Sequence, residues 1–292
     1  MNTISPSINN KPSFGINASA EPTVVIEPRR HLFALDLNAI WEYRELLYFL
    51  VWRDLKVHYR QTLVGVGWVI LQPLITMVIF TIIFSRFAQI PSDGLPYPVF
   101  VYSALLPWNL FAASLNRGTS SVVGNAQLVS KIYFPRLILP LSGVLSPLVD
   151  FAVGFLILVG MMIWYRTLPN WGILVLPLFL FLAILTALAV GLWLSALNVR
   201  YRDVSHAIPF VTQVWMFASP VAYPISVVPE KWRLLYGLNP MVGAIEGFRW
   251  ALLGNESPDL GAIMISSVMV VALLFSGVVY FKHTERTFAD VV

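Results

Sequence analysis

The sequence predicts an all-α, polytopic membrane protein with six transmembrane helices. Three observations carry that reading. Hydrophobic residues make up 58% of the chain and charged residues only 12%. The charge-free intervals are long enough to cross a hydrocarbon layer of roughly 30 Å. Lysine and arginine are distributed unequally between the two sets of flanks that those intervals define. The formal net charge of +4 does not point to nucleic acid, because basic residues beside membrane spans act as orientation signals and lipid-headgroup contacts. The absence of cysteine excludes disulfides and thiolate metal ligation.

Residues 1–35 are rich in Asn, Ser and Pro, show no periodicity and lack the n-region and h-region of a secretory signal, so they read as a disordered cytosolic tail. Residues 36–62 change character. Asn38 is a candidate cap, and Glu42, Glu45, Arg53, Lys56 and Arg60 form a stripe at three- and four-residue spacing, surrounded by Trp41, Leu46, Leu47, Phe49, Leu50, Val51 and Trp52. The apolar core is too short to span. The segment reads as an amphipathic helix at the membrane surface, the alternative being a solvated helix packed on another domain.

The transmembrane domain covers 63–284, with spans near 64–84, 97–113, 137–165, 171–197, 207–223 and 261–281. Pro73 is a candidate kink in the first. Residues 285–292 form a second cytosolic tail. Arg44, Arg53, Lys56, Arg60, Arg117, Lys131, Arg136, Arg200, Arg202, Lys282 and Arg286 lie on one side, and Arg86, Arg166, Lys231, Arg233 and Arg249 on the other. The richer side is the cytosolic one, which puts both termini there.

Two interruptions stand out. Residues 124–136 form a polar island with Lys131 and Arg136; helix formers at Ala126, Gln127 and Leu128 precede a stop at Pro135, so a short helix outside the lipid is expected. Residues 224–258 mix charges with apolar runs too short to span and broken at Asn239-Pro240. They read as a pair of re-entrant helices capping the outer face, or as a folded extracytosolic loop.

Asp150 lies mid-span, 14 positions after Arg136 and 16 before Arg166. A carboxylate there is costly and therefore a functional candidate, through proton coupling or through bonding to a packing helix; no second acid or His is visible nearby. Histidines 31, 58, 206 and 283 have no metal-ligand spacing, and no serine has a base or elbow motif beside it. Trp108, Trp164, Trp171 and Trp232 fit an outer interfacial belt. Phe80, Phe84 and Phe87 on span one, with Trp215, Phe217 and Tyr223 on span five, are candidates either for a conduit that stacks on sugar faces or for packing. Arg53, Lys56 and Arg60 suit a pyrophosphate or a lipid headgroup. Without a phosphate-cradling loop or a catalytic constellation, the chain is not read as an enzyme; energy would arrive from a partner, with the polar island as receiver.

The run Tyr59-Arg60-Gln61-Thr62-Leu63-Val64-Gly65-Val66-Gly67-Trp68 with Gln72-Pro73-Leu74, the island Asn125-Ala126-Gln127-Leu128-Val129-Ser130-Lys131-Ile132-Tyr133-Phe134-Pro135, the turn Asn198-Val199-Arg200-Tyr201-Arg202-Asp203, Ser219-Pro220, and Asn239-Pro240 with Arg249 resemble the permease subunit of ABC-2-type polysaccharide exporters, which serve O-antigen, capsule and teichoic acid. The ending Glu285-Arg286-Thr287-Phe288-Ala289-Asp290 is most similar to the O-antigen branch. The resemblance covers about residues 38–290. It implies a homodimer in the bacterial inner membrane that docks two separate ABC ATPase subunits. The chain itself would need no cofactor, ATP and Mg being bound by the partner. The island becomes the coupling helix, with Asn125, Gln127, Leu128, Val129, Ser130, Lys131 and Ile132 against the ATPase. The substrate implied is a polysaccharide on undecaprenyl pyrophosphate. An ABC-2 permease for a small lipid or drug, and an ion-coupled carrier working through Asp150, are the competing readings.

Overall fold

In lipid, backbone polar groups must be satisfied within the segment that carries them, and every regular element among the described residues is a helix. The computed structural model describes residues 37–60, 65–169, 171–254 and 258–288, all within one unit, Leu32–Val292. The expected N-terminal tail, the stretch Gln61-Thr62-Leu63-Val64 and the ending Ala289-Asp290 lie outside the described residues.

The order is α1 (Leu37–Glu42), α2 (Arg44–Arg60), α3 (Gly65–Phe80) running on as a π-helical turn Thr81–Phe87, α4 (Tyr97–Gly124), α5 (Ala126–Lys131), α6 (Ile138–Leu145) and α7 (Leu148–Trp164). A 3-10 turn, Trp171–Val175, leads into α8 (Leu176–Arg200), followed by α9 (Asp203–Phe217), the turn Ile225–Val227, α10 (Glu230–Tyr236), α11 (Pro240–Leu253) and α12 (Leu260–Glu285).

Among the described residues, five stretches are long and apolar enough to cross a bilayer: Gly67–Phe87, Tyr97–Gly124, Ile138–Trp164, Trp171–Arg200 and Leu260–Glu285. The segment expected as the fifth of six spans, 207–223, is instead α9, which has 15 residues. It stops because the chain turns at Ser219-Pro220, where Val221 N–H bonds back to the Ser219 carbonyl at 2.7 Å and proline has no N–H to extend a helix. The second expected span, 97–113, runs on to Gly124, so Arg117 lies inside α4 rather than on a flank. Arg249, counted on the other flank, is 5% exposed. Removing one charge from each set leaves the bias unchanged.

α4 is the central helix and packs against α8, α6, α7, α11 and α3. Small residues let its neighbours approach closely. A Cβ on Gly143 of α6 would stand 2.9 Å from the Arg117 backbone, and one on Gly277 of α12 would stand 2.7 Å from the Ala189 carbonyl oxygen of α8. Buried hydroxyls mostly bond carbonyls of their own helix, as Thr119 does to Leu115 (2.7 Å) and Thr186 to Leu182 (2.7 Å). Others tie helices together: Ser114 Oγ donates to the Val144 carbonyl at 2.8 Å, and Asn198 Nδ2 to that of Thr119 at 3.2 Å.

The N-terminal helical segment breaks at Tyr43, and Asn38 lies within α1 rather than ahead of it. Leu50 is buried with Val129, Phe134, Phe281 and Phe288, and Leu46 and Leu47 pack on the same cluster. Trp41, Tyr48, Phe49 and Trp52 face outward. In 224–258 the expected pair of short helices forms as α10 and α11, parted at Asn239, whose side chain caps α11 by accepting from Met241 N–H at 3.1 Å. α11 is enclosed along most of its length by α4, α8 and α12. Gly254 ends it at φ 65°, the left-handed conformation that favours glycine.

Candidate functional site

Between α3, α4, α7 and α9 lies a cavity of about 740 Å³, and its wall contains Asp150. That size falls within the roughly 300–1,000 Å³ typical of small-molecule sites. Asp150 does not stand alone. Its Oδ2 accepts from Arg117 Nη2 at 3.1 Å, and Arg117 Nη1 donates to Ser146 Oγ at 3.0 Å. The other carboxylate oxygen accepts from the Tyr59 hydroxyl. One ion pair with a phenol attached therefore links α2, α4 and α7. Burial, and then the hydrogen bond to Asp150, hold the Tyr59 phenol above its ordinary pKa, so it remains a donor.

The other polar groups on this wall are the His58 imidazole, edge-on to Tyr59 at 5.4 Å, the Thr212 hydroxyl, which donates to the Ile208 carbonyl at 2.9 Å, and three amides. Leu106, Asn109, Ala113 and Asn116 follow one another at three- and four-residue spacing and share one face of α4. Gln72 and Trp68 face the same space from α3. Sequence reasoning missed Tyr59, Arg117 and these amides. The available signal was the seven-residue interval between Asn109 and Asn116, obscured because that stretch was divided between a span and its flank.

The island forms a six-residue helix, α5. Val129 is 4% exposed in the second core, whereas Ile132 is 57% exposed. Gln127, Ser130 and Lys131 are exposed as well, and Leu128 is half-buried. Asn125 precedes the helix, but its amide donates backwards to the Ser121 carbonyl at 2.8 Å rather than capping.

The six aromatic candidates divide. Phe80 meets Phe84 edge-on at 5.2 Å and Phe217 at 6.2 Å, so spans one and α9 do bring three rings together. Phe87 is exposed apart from them. Trp215 is committed to the interior: it packs on Trp108 and Phe111, and its Nε1 donates to Asn239 Oδ1 at 2.9 Å. Tyr223 OH bonds the Phe217 carbonyl (3.1 Å) and shares a hydrogen bond with Tyr236 OH (2.9 Å). None of the six lines the cavity. Trp164, Trp171 and Trp232 are exposed as an interfacial belt requires, but Trp108 is buried at 3% exposure, because Phe111 and Trp215 enclose it.

Of the basic trio, Arg53 is paired with Asp54 at 2.8 Å. Lys56 lies 5.5 Å from the centre of the Trp52 ring, and Arg60 is exposed. Arg249 stacks 3.9 Å over Phe100, pairs with Glu246 at 2.9 Å and donates to the Pro220 carbonyl at 2.7 Å. It thereby pins the turn after α9 to α11.

The sequence profile of the ABC-2 type transporter family matches residues 45–253. Over 257 residues, the chain is 29% identical to the O-antigen export system permease protein RfbA of Myxococcus xanthus, covering 87% of this chain and 98% of that one. A protein of the same description from Klebsiella pneumoniae is 28% identical over 254 residues, covering 85% and 95%. The polysialic acid transport protein KpsM of Escherichia coli is 22% identical over 243 residues, covering 80% and 91%.

Proposed function

The chain belongs to the ABC-2 type transporter family, and from that premise we propose that it is the membrane-spanning permease of an ATP-driven O-antigen exporter. Two copies pair in the inner membrane with both termini cytosolic, and each pair docks two ATPase subunits that bind ATP and Mg. The cargo is polysaccharide on undecaprenyl pyrophosphate. The observation that carries this reading is the match to O-antigen export permeases over 98% and 95% of their lengths; a shared module alone would not extend so far.

The physical arrangement supports the division of labour. A permease driven by a partner needs a mobile passage and a contact through which the partner biases it. α5 meets the second need: it projects Gln127, Ser130, Lys131 and Ile132 while Val129 anchors it to the core. Asn125 and Leu128 complete the contact at its start and flank. Lys56 and Arg60 would meet the pyrophosphate at the membrane surface; Arg53 is already paired with Asp54. Phe217, exposed, and Phe84, half-buried, offer ring faces to the polymer further out, with Phe80 buried between them as support. Asp150, ion-paired with Arg117, serves as a structural tie and not as a lone proton carrier. α10 and α11 form the re-entrant outer cap.

The test is deletion of the gene in its native host, with gel analysis of surface polysaccharide and of retained lipid-linked polymer. Export predicts loss of the surface ladder and accumulation of polymer inside. An unchanged ladder in a host without a second exporter rejects polysaccharide as cargo and leaves a small lipid or drug.

A further inference from the structure

The cavity beside Asp150 holds polar groups that the folded chain leaves unused. Asn109, Asn116 and Gln72 line it, and among the described residues none of their side-chain amides meets a hydrogen-bond partner, in a chain whose other polar side chains are largely bonded. Asn109 is half-buried and Asn116 and Gln72 are exposed, but all three lie on helices long and apolar enough to cross a bilayer, where an amide is costly unless something in the cavity satisfies it. Each amide both donates and accepts. A sugar hydroxyl does the same, so the match is to a hydroxyl-rich ligand and not to a simple anion or cation. The indole of Trp68, 58% exposed on the same wall, gives a flat apolar surface for the C–H face of a sugar ring.

The charges decide which sugar. Arg117 is the only Lys or Arg among the described lining residues, and its guanidinium is spent on Asp150 and Ser146; the other basic side chain there, His58, packs edge-on against Tyr59 at 5.4 Å. Asp150 is itself held by Arg117 and Tyr59. An acidic sugar would find no available guanidinium and would lie beside a carboxylate, with His58 alone to offset the desolvation of its charge.

We propose that this cavity is a subsite for neutral, hydroxyl-rich sugar units, which Asn109, Asn116 and Gln72 hold by their amides, and that the Arg117–Asp150 ion pair excludes acidic ones. The inference rests on the export reading and narrows its cargo. It also sets this chain apart from its polysialic acid transport relative.

Titration calorimetry of the full chain in lipid nanodiscs tests it, with maltoheptaose as the neutral probe and an oligogalacturonate of equal length as the acidic one. The neutral sugar is expected to bind, and the acidic one at least about tenfold more weakly, since like charges brought together are strongly disfavoured. The double variant N109L/N116L changes only side chains that face the cavity. It should keep the thermal midpoint and lose roughly tenfold in affinity for the neutral sugar. D150N releases Arg117 and should shift the preference toward the acidic sugar. Equal or tighter binding of the acidic sugar by the unaltered chain, undiminished binding by N109L/N116L, or no binding of either sugar would overturn the proposal. The two readings fail separately. Loss of surface polysaccharide on gene deletion together with an acidic preference rejects the subsite and keeps export; neutral-sugar binding with an unchanged surface rejects export and keeps the subsite.

Discussion

Arg117 and Asp150 are each 20–24% exposed and joined at 3.1 Å. Removing one leaves the other poorly solvated among α4 and α7, so R117A should cost about 1–3 kcal/mol of stability. The double variant R117A/D150A should lose less than the sum of the single changes, because the second substitution removes the orphaned charge. Thermal unfolding of the purified chain measures both; strict additivity would show that the pair is not coupled. Gly143 gives a second case. A Cβ there collides with backbone, not with the end of a flexible side chain, so G143A should destabilise by roughly 1–3 kcal/mol. At Gly160 nothing lies within 4 Å, and G160A should be neutral or slightly stabilising by helix propensity. Equal effects at the two positions would contradict the close α4–α6 packing. Asp150 was legible in the sequence as a residue needing an explanation, because its cost in lipid is local chemistry. Its partner was not, because pairing residues 33 apart depends on how far α4 continues and which faces meet. Trp108 was misplaced for the same reason: its position along the chain suits an interface, but three-dimensional enclosure by Phe111 and Trp215 decides its role.

At the scale of elements, α5 separates anchoring from contact. Val129 is enclosed with Leu50, Phe134 and Phe288, so V129D buries an unpaired carboxylate and should cost several kcal/mol, seen as loss of folded protein. Ile132 is largely exposed, so I132D should leave insertion and thermal stability unchanged and abolish export. Normal export by a correctly inserted I132D chain would remove α5 from the coupling role. Leu128 is a poorer probe, because half of it packs on the second core. The existence of α5, of α2 and of the α10–α11 pair was legible, since polar interruptions, a charge stripe and Asn239-Pro240 are marks along the chain. Their ends were less so. α4 extends past residue 113 because the polar face carrying Asn116 and Arg117 opens on the cavity. α9 stops at Phe217 because the Ser219-Pro220 turn, held by Arg249 through the Pro220 carbonyl, replaces the last turns of the expected span.

For the whole molecule, composition made the all-helical membrane architecture legible, since no other structure satisfies so much backbone in lipid without closing a barrel. The candidate conduit was less legible: of six aromatic candidates, only Phe80, Phe84 and Phe217 come together, and the cavity beside Asp150 is lined instead by amides, His58 and an ion pair. Periodicity is weak where apolar residues surround a helix, so the faces that meet are set by packing. In the proposed exporter the chain supplies a passage and a docking helix, and a partner supplies the energy. The direct measurement uses inverted inner-membrane vesicles from the native host, loaded on their outer, cytosolic face with lipid-linked polysaccharide. The account predicts that ATP moves the polymer into a protected compartment in vesicles bearing this chain, and that vesicles from the deletion strain show no such movement. ATP-dependent protection of equal extent in both, or protection without ATP, would contradict it.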